Sequence, residues 1–524
     1  MYKTNFDTLK NILEDNKNSE YGKKYNFSEI NSIEKYKSLV PLSKYYNFKQ
    51  YIDKMFNGEK NILTSYKIET FNCTSGTEGK QKLIPITKKA FDTYSDYAEK
   101  NKNTIMKQNK GKRLFIGILG LDLNKKPDKY MLMSEAYFYY LYKQRYIRTD
   151  EYIGDKDLMF DPYTNDYLYE KVWCAIIEEN IVIIESIYMY DILQFFNMFE
   201  KNYQRIIADI RNNRIDPNKK ISEKAKKFLL NMKYSEERLN FVEKECEKGF
   251  EGIAGRIWKN LKLISGISSK LFIYENKALE KFIGNISKDS YLFAASEGII
   301  GISKETDNYS YYLDPSFGFY EFIPYSENED EKNNSNDTID INEVEKDKIY
   351  ELVLTNLSGL YRYKTGDVIK IVKNDSKGIF FEFYFRKNLL INIAGEKTYY
   401  KQLENVMRKM DEMIPNILEY SLGATIYENV GTYFLFVSLP DNQRNAIDLD
   451  KIKKGFDLML CRVNYVYESL RKLDCLGEPK IFLMDKEKYF KIFRIASNRK
   501  CHNKPKFILS QKLLNQIIIN FKLY

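Results

Sequence analysis

Between Phe71 and Thr87 the chain reads FNCTSGTEGKQKLIPIT. Within it Thr74, Ser75, Gly76, Thr77, Glu78, Gly79 and Lys80 crowd hydroxyls, two glycines and a lysine into seven residues. Glycines let a backbone approach an anion closely, and hydroxyls with amide N–H groups then cradle phosphate oxygens. Lys80 and Lys82 add compensating point charges. The Gly-x4-Gly-Lys-Ser/Thr spacing of a Walker loop is absent, so the segment alone also fits a polar turn between strands.

Three later groups extend this chemistry. Phe293-Ala294-Ala295-Ser296-Glu297-Gly298 follows an apolar run. Glu297 at a strand mouth suits Mg2+, a hard cation that prefers oxygen ligands. Ser296 suits an α-phosphate oxygen, and Phe293 offers a packing surface for a base. Gly359–Asp367 (GLYRYKTGD) ends on Asp367, whose carboxylate can accept both hydroxyls of a ribose diol. Arg386–Gly395 (RKNLLINIAG) supplies Arg386 for ribose or phosphate and Asn388 where a hinge is needed. Each group taken singly reads equally as a capped strand end or a turn. Four of them in this order point to a nucleotide site.

The composition narrows the alternatives. The 524 residues carry 83 Lys+Arg against 73 Asp+Glu, a net charge of +10 spread along most of the chain. That is a solvated surface rather than the single basic stripe of a nucleic-acid protein. A hydrophobic share of 44% supports a large core, and the length suggests two to four domains or subdomains. One histidine, His502, excludes imidazole-rich metal sites and disfavours a Ser-His-Asp hydrolase. The six cysteines include no Cys-x-x-Cys pair and fit a reducing cytosol. With no signal-like N-terminus and no run of 18 apolar residues, a cytoplasmic protein without membrane contact is expected.

These groups need a scaffold, and the pattern supplies an α/β one. Compact apolar runs at Arg113–Asp122 and Leu261–Ser265 read as buried strands. Ala278–Ile283 reads as a helix tail before a strand at Ser290–Ala295. Phe319–Ile323 and Tyr350–Thr355 read as antiparallel β, followed by a turn at Asn356–Gly359 and a strand over Leu360–Val372. The acidic, Asn-rich Ser326–Lys348 reads as an exposed loop. Beyond a boundary near Arg386–Asn392 a smaller α+β unit is expected. It comprises a helix over Thr398–Met410, a hairpin around Asn429–Gly431, one long helix over Leu449–Leu473 and a strand at Lys480–Met484.

The set resembles the adenylate-forming superfamily and, more closely, its acyl acid amido synthetase (Gretchen Hagen) family. The resemblance covers nearly the whole chain. It runs through Ser19–Gly22, Val40–Ser43, Asn61–Ser65, the glycine-rich segment with Ile84–Thr87, Ile257–Asn260, Tyr320–Pro324, Gly359–Tyr363 and Gly395–Thr398. Leu460, Asn464, Tyr467 and Arg471 resemble the family's long C-terminal helix. It implies a large N-terminal adenylation domain, residues 1–388, with a β-barrel and α/β sheets. A small mobile α+β domain, residues 389–524, follows. It further implies ATP phosphates on Thr74, Ser75, Gly76, Thr77, Gly79, Lys80 and Lys82, and Mg2+ on Glu297. Phe293, Ser296 and Tyr361 join the nucleotide site, Asp367 binds ribose and Arg386 closes over the nucleotide.

The chain also departs from the family pattern. Glu78 stands where a small or hydroxyl residue is usual, and Asn388 replaces the superfamily's hinge acid. The Gln-x-Lys-x-Pro-Arg pattern near the C-terminus reads Lys500-Cys501-His502-Asn503-Lys504-Pro505-Lys506. Asn503 therefore sits at the lysine position, and Lys504, Lys500 or Lys506 must serve; Lys504 is assigned to catalysis with Lys82 and Arg386. The resemblance implies a monomeric ligase that uses ATP and Mg2+ to convert a carboxylic acid to acyl-AMP. It then passes the acyl group to an amine, an amino acid. A thiol acceptor, coenzyme A or a carrier protein, is the alternative. A non-catalytic reading rests on the basic run Lys486–Lys506 with Tyr489, Phe490 and Phe493. The acyl pocket is sought along Asp96–Met106 and Tyr130–Arg145, where the aromatics of Tyr137–Tyr142 also read as core.

Overall fold

A computed structural model describes residues 2–73, 82–94, 110–117, 119, 130–131, 133–143, 149–154, 158–161, 163–164, 166–268, 273–325, 337–376, 378–387, 390–440, 443, 447–497 and 507–521. The chain divides into two compact units, the first taking most of the sequence up to Tyr384 and the second formed mainly by Phe385–Tyr524.

In the first unit β1 (Ile68–Cys73) and β2 (Leu83–Thr87) pair antiparallel, with Asn72 opposite Ile84, and the glycine-rich segment lies between them in sequence. β3 (Lys112–Phe115) opens a separate parallel sheet, while β4 (Tyr130–Met131) lies parallel to β1. The parallel sheet continues through β5 (Ile181–Tyr188), β6 (Leu263–Ile267) and β7 (Ser287–Asp289) in the order β3-β5-β6-β7. Seven of the eight residues of β5 are buried, as expected of a strand covered on both faces. The helices Tyr167–Ile177 and Met189–Arg211 flank β5 in the chain. Trp258 bonds from its indole N–H to the carbonyls of Ala175 and Glu178, both at 3.1 Å. Arg238 donates to the carbonyls of Ile176 and Ile257, both at 3.0 Å, satisfying groups that helix ends leave without intrahelical partners.

A larger sheet follows: β8 (Leu292–Ala295), β9 (Gly298–Ile302), β10 (Ser310–Leu313), β11 (Gly318–Pro324), β12 (Ile349–Asn356), β13 (Tyr363–Asp375) and β14 (Gly378–Arg386). Its order is β11-β12-β13-β14-β10-β9-β8. The antiparallel pairing of Phe319 with Thr355 agrees with the alternation in the sequence. The described part of the acid-rich stretch after β11, residues 337–348, is a loop with most residues exposed, as expected, but it is pinned to the sheet by a few apolar side chains. Ile339 bridges back to Phe322, and Ile341 and Val344 are buried in the same core as Phe322 and Leu352. Isolated apolar side chains among many acids carry no period, so composition alone masks them.

In the second unit β15 (Leu390–Ile391) pairs with β16 (Thr398–Tyr399), and β17 (Glu419–Tyr427) forms a hairpin with β18 (Val430–Leu439). The two-residue turn is Glu428-Asn429, both at positive φ (49° and 66°), one residue before the position expected. Positive φ at both central positions is the backbone of a turn matched to strand twist. β19 (Lys480–Asp485) adds parallel to β18. The single long helix expected over Leu449–Leu473 is two: Leu449–Val463 and Tyr465–Lys472. Asn464 divides them as an N-cap, its side-chain oxygen accepting from Val466 N at 3.0 Å and Tyr467 N at 3.2 Å.

Candidate active site

The residues named from sequence fall into two sets. Thr74, Ser75, Gly76, Thr77, Gly79, Lys80 and Lys504 lie outside the described residues, as do Asn388 and Asp96–Met106. Lys82, Phe293, Ser296, Glu297, Tyr361, Asp367 and Arg386 are described.

Ser296 and Glu297 are the two turn residues of the β8–β9 hairpin, in which Ala295 pairs with Gly298. A tight turn of this kind aims its central carbonyls away from the ladder, so they need donors from elsewhere. The Asn72 side chain donates to the Ser296 carbonyl at 2.9 Å, and the Asn356 side chain donates to the Glu297 carbonyl at 2.8 Å. Asn72 belongs to β1, two residues before Thr74, and Asn356 ends β12. Gly298 completes the turn at φ 140°, and a Cβ there would collide with the buried Tyr94 hydroxyl. Glu297 itself is 4% exposed.

Asn356 does more than hold Glu297. Its side-chain oxygen accepts from Ser358 N at 2.9 Å and Leu360 N at 3.0 Å, which closes the turn into β13. The Ser358 hydroxyl accepts from Thr87 N at 3.2 Å, while the Thr87 hydroxyl donates to the Leu357 carbonyl at 2.8 Å. The end of β2 is thereby tied to the same turn.

Asp367 occupies a bulge in β13. Val353 pairs with Lys364 and Glu351 with Val368, so Thr365, Gly366 and Asp367 share the space opposite Leu352. The Thr365 hydroxyl repairs the interrupted ladder by donating to the Leu352 carbonyl at 2.8 Å and accepting from Asp367 N at 3.1 Å. Gly366 sits at φ 76°, where a side chain is disfavoured. Bulges re-aim a side chain relative to a regular strand, and here the re-aimed group is the Asp367 carboxylate.

Other assignments resolve differently. Tyr361 is fully buried, stacks on Tyr21 with centroids 4.9 Å apart and donates its hydroxyl to the Leu63 carbonyl at 2.7 Å. Burial holds that hydroxyl well above the usual phenol range. Its ring therefore packs the core under the turn and does not present itself to a nucleotide. The neighbouring Arg362 is also internal, bound to Glu321 and to the carbonyls of Lys37 and Val40. Phe293 packs with Tyr311, Phe381 and Phe383 at centroid distances of 5.5–5.7 Å and stays half-buried. Lys82 is half-buried before β2, its ammonium 5.7 Å from the centroid of the Tyr45 ring. Arg386 is half-buried at the end of β14. Tyr137, Tyr140 and Leu141 belong to the main core, in agreement with the packing reading of that helix.

Asn72 and Asn356 escape sequence reasoning because an asparagine beside a turn is common. The available signal was their position, one directly before the hydroxyl-rich segment and the other opening a turn.

Among the described residues no group of three or more His, Cys, Asp and Glu gathers as a metal cage. Glu297 alone still fits Mg2+, which commonly takes one or two protein carboxylates and completes its shell with water and phosphate oxygens.

Residues 2–287 match the description "GH3 family N-terminal domain", more than half of the chain, and residues 311–386 match "GH3 family central domain". The chain belongs to the GH3 family. This GH3 chain is 25% identical to the jasmonoyl–L-amino acid synthetase GH3.5 of Oryza sativa subsp. japonica, over 92% of its own length and 87% of the relative's. It is 26% identical to the indole-3-acetic acid-amido synthetase GH3.4 of Arabidopsis thaliana, over 89% and 81%. Among solved structures, the acyl acid amido synthetase AtGH3.15 in complex with 2,4-DB superposes with a TM-score of 0.81 at 20% identity, covering 99% of this chain and 93% of that one. A 2-hydroxyisobutyryl-CoA ligase in its postadenylation state gives 0.57 at 10% identity, over 100% and 92%. The GH3 chain thus has the fold of adenylate-forming enzymes.

Proposed function

We propose that this protein is an ATP- and Mg2+-dependent, AMP-forming ligase that joins a carboxylic acid to an amino acid through an amide bond. The observation that carries the reading is the Ser296–Glu297 turn of a GH3 chain, bonded on one side to the strand entering the glycine-rich segment. On the other side it is bonded to the turn that leads to Asp367. The named relatives are amido synthetases of matching length.

In this reading ATP is a substrate. Its phosphates lie on Thr74–Lys80, and its ribose diol on the Asp367 carboxylate. Glu297 would hold Mg2+, which when bound supplies positive charge to the phosphates. A carboxylate oxygen attacks the α-phosphorus in line, the bond to the bridging β-oxygen breaks, and pyrophosphate leaves. Lys82, Arg386 and Lys504 offset the developing negative charge. The amine nitrogen of the amino acid then attacks the acyl carbon and loses a proton, and AMP leaves with the former carboxylate oxygen. Both steps depend on alignment and preorganised charge, so neither needs an imidazole. Residues 1–388 form the adenylation domain and 389–524 a mobile C-terminal domain, in a cytoplasmic monomer. No described helix is long and apolar enough to cross a membrane.

The test is pyrophosphate release over a panel of carboxylic acids, then mass spectrometry of products formed with the amino acids or with coenzyme A. Acid-dependent release and an amide product are expected. Acyl-CoA without amide would move the protein to the thioester ligases, and no release with any acid would refute the adenylation step.

A further inference from the structure

We propose that Asn72 and Asn356 are positioning residues that set the affinity of the nucleotide site for its divalent cation. The proposal rests on the reading of Glu297 as the cation's carboxylate. A two-residue turn has two free central carbonyls, and here each accepts one side-chain amide from a different segment. Asn72 is wholly buried and Asn356 is 2% exposed; the Asn356 bond to Glu297 is buried, and the Asn72 bond to the half-buried Ser296 is part-buried. A hydrogen bond in such surroundings is stiff, and losing its donor strands a carbonyl.

The arrangement has a directional consequence. With its carbonyls held at 2.9 Å and 2.8 Å, the turn cannot rotate about its own strands, and the Glu297 side chain leaves the backbone in one direction. The same Asn356 amide group is bonded through its oxygen to Ser358 N and Leu360 N. The height of Glu297 is therefore fixed relative to the turn that feeds the Asp367 strand. Asn72, in turn, fixes it relative to the residue two before Thr74. Neutral amides suit this task. A lysine or arginine bonded to the same carbonyls would bring a cation beside Glu297 and weaken its hold on Mg2+. The asparagines orient the carboxylate without spending its charge.

The experiment compares ATP dissociation constants of the full chain measured by calorimetry in excess Mg2+ and in EDTA, without carboxylic acid. Their ratio reports coupling between cation and nucleotide. Glu297→Gln should collapse the ratio. Asn72→Leu, which keeps the side chain's size and removes the donor, should reduce it by about tenfold, the worth of one hydrogen bond. The EDTA constant should weaken less than the Mg2+ constant, because the displaced turn carries the cation's carboxylate, whereas Ser296 is one of several groups on the nucleotide. In a Glu297→Gln background Asn72→Leu should add nothing to the ratio, an outcome that a merely structural role does not produce. Asn356→Ser stays neutral, can still accept from Ser358 N as a serine does in a turn, and is too short to donate to the Glu297 carbonyl; it should act like Asn72→Leu. It also keeps the test decisive should Asn72→Leu fail to fold. An unchanged ratio in the asparagine variants, with collapse in Glu297→Gln, overturns the positioning role alone. An unchanged ratio in Glu297→Gln overturns the cation assignment and the positioning role together.

Discussion

Arg362 stands in the motif Gly359–Asp367, and a guanidinium three residues after the turn glycine invites a phosphate-binding role. Its surroundings assign it another. Nε lies 3.2 and 3.1 Å from the two Glu321 oxygens, and one terminal nitrogen lies 2.9 Å from Glu321 and 3.2 Å from the Thr338 hydroxyl. The other donates to the carbonyls of Lys37 and Val40, both at 2.8 Å. The two charged side chains are 6% and 1% exposed. Arg362 also has φ 44°, a conformation that costs a non-glycine residue about 1 kcal/mol and persists only where surroundings over-determine it.

Arg362→Met should strand the Glu321 carboxylate, at a cost of about 3–5 kcal/mol. Replacing both partners, Arg362→Met with Glu321→Met, removes that stranded charge and leaves two buried carbonyls and one hydroxyl short of partners. At about 1 kcal/mol each, the double variant should lose roughly 2–3 kcal/mol and be the more stable of the two. The assay is urea unfolding followed by tryptophan fluorescence. Both tryptophans of the chain, Trp173 and Trp258, are buried in the first unit, so the signal reports the unit that holds the bridge. With a slope near 3 kcal/mol per molar, the midpoint should fall by about 1.3 M in the single variant and about 0.8 M in the double. A double variant less stable than the single would refute the stranded-charge argument. A single variant as stable as the native protein that binds ATP a hundredfold more weakly would restore the phosphate-binding role.

Three further perturbations test other parts of the fold. Gly366→Ala forces a side chain onto φ 76° in the bulge and should cost about 1–2 kcal/mol by urea unfolding. ATP affinity in EDTA should fall with it, because Asp367 is re-aimed. Asn464→Ala removes an N-cap together with bonds to the Glu396 carbonyl and the Thr398 hydroxyl, at 2.8 and 2.9 Å. Amide exchange over Tyr465–Lys472 should accelerate about fivefold or more, in line with a cap worth about 1 kcal/mol. Burial pushes the Cys246 thiol up to about 12, so peptide-mapped alkylation at pH 8.5 should modify exposed Cys475 and spare Cys246 until the protein unfolds. Modification of Cys246 at the rate of Cys475 in native protein would contradict that burial.

How far the sequence could be read depended on whether the physics was local. Gly366 before Asp367, and Ser296-Glu297 after an apolar run, declare turns through residue type, and the structure has a bulge and a hairpin there. The antiparallel pair around Phe319 and Thr355 follows from alternation along two strands. The break at Asn464 was legible in principle, since asparagine is a strong N-cap. It was overridden by an apolar period that continues on both sides, with Leu460 and Tyr467 both in the second unit's core. Tyr361 could not be placed, because a tyrosine within a functional motif looks the same whether it faces a ligand or stacks on Tyr21, far away in sequence. Asn72 and Asn356 act on residues more than 200 and about 60 positions away, and no local pattern encodes such a bond.

That non-locality bears on why the family's motifs occur as a set. A turn carrying Glu297 is useful to a phosphate-activating reaction only if its place relative to the nucleotide is fixed within a fraction of an ångström, because in-line attack is lost with small misalignments. Backbone ladders cannot fix it: β1 and the β8–β9 hairpin belong to different sheets, and no ladder pairs them. The Asn72 amide crosses between the two sheets, and the Asn356 amide spans non-neighbouring strands of the larger one; these bonds do what ladders cannot, and they constrain the sequence at Asn72, Ser296-Glu297 and Asn356 together. A change at any one of these positions should therefore degrade the same quantity, cation-coupled nucleotide binding. Substitutions of equal burial elsewhere on these strands, such as Phe71→Leu or Thr355→Val, should change stability without changing that coupling.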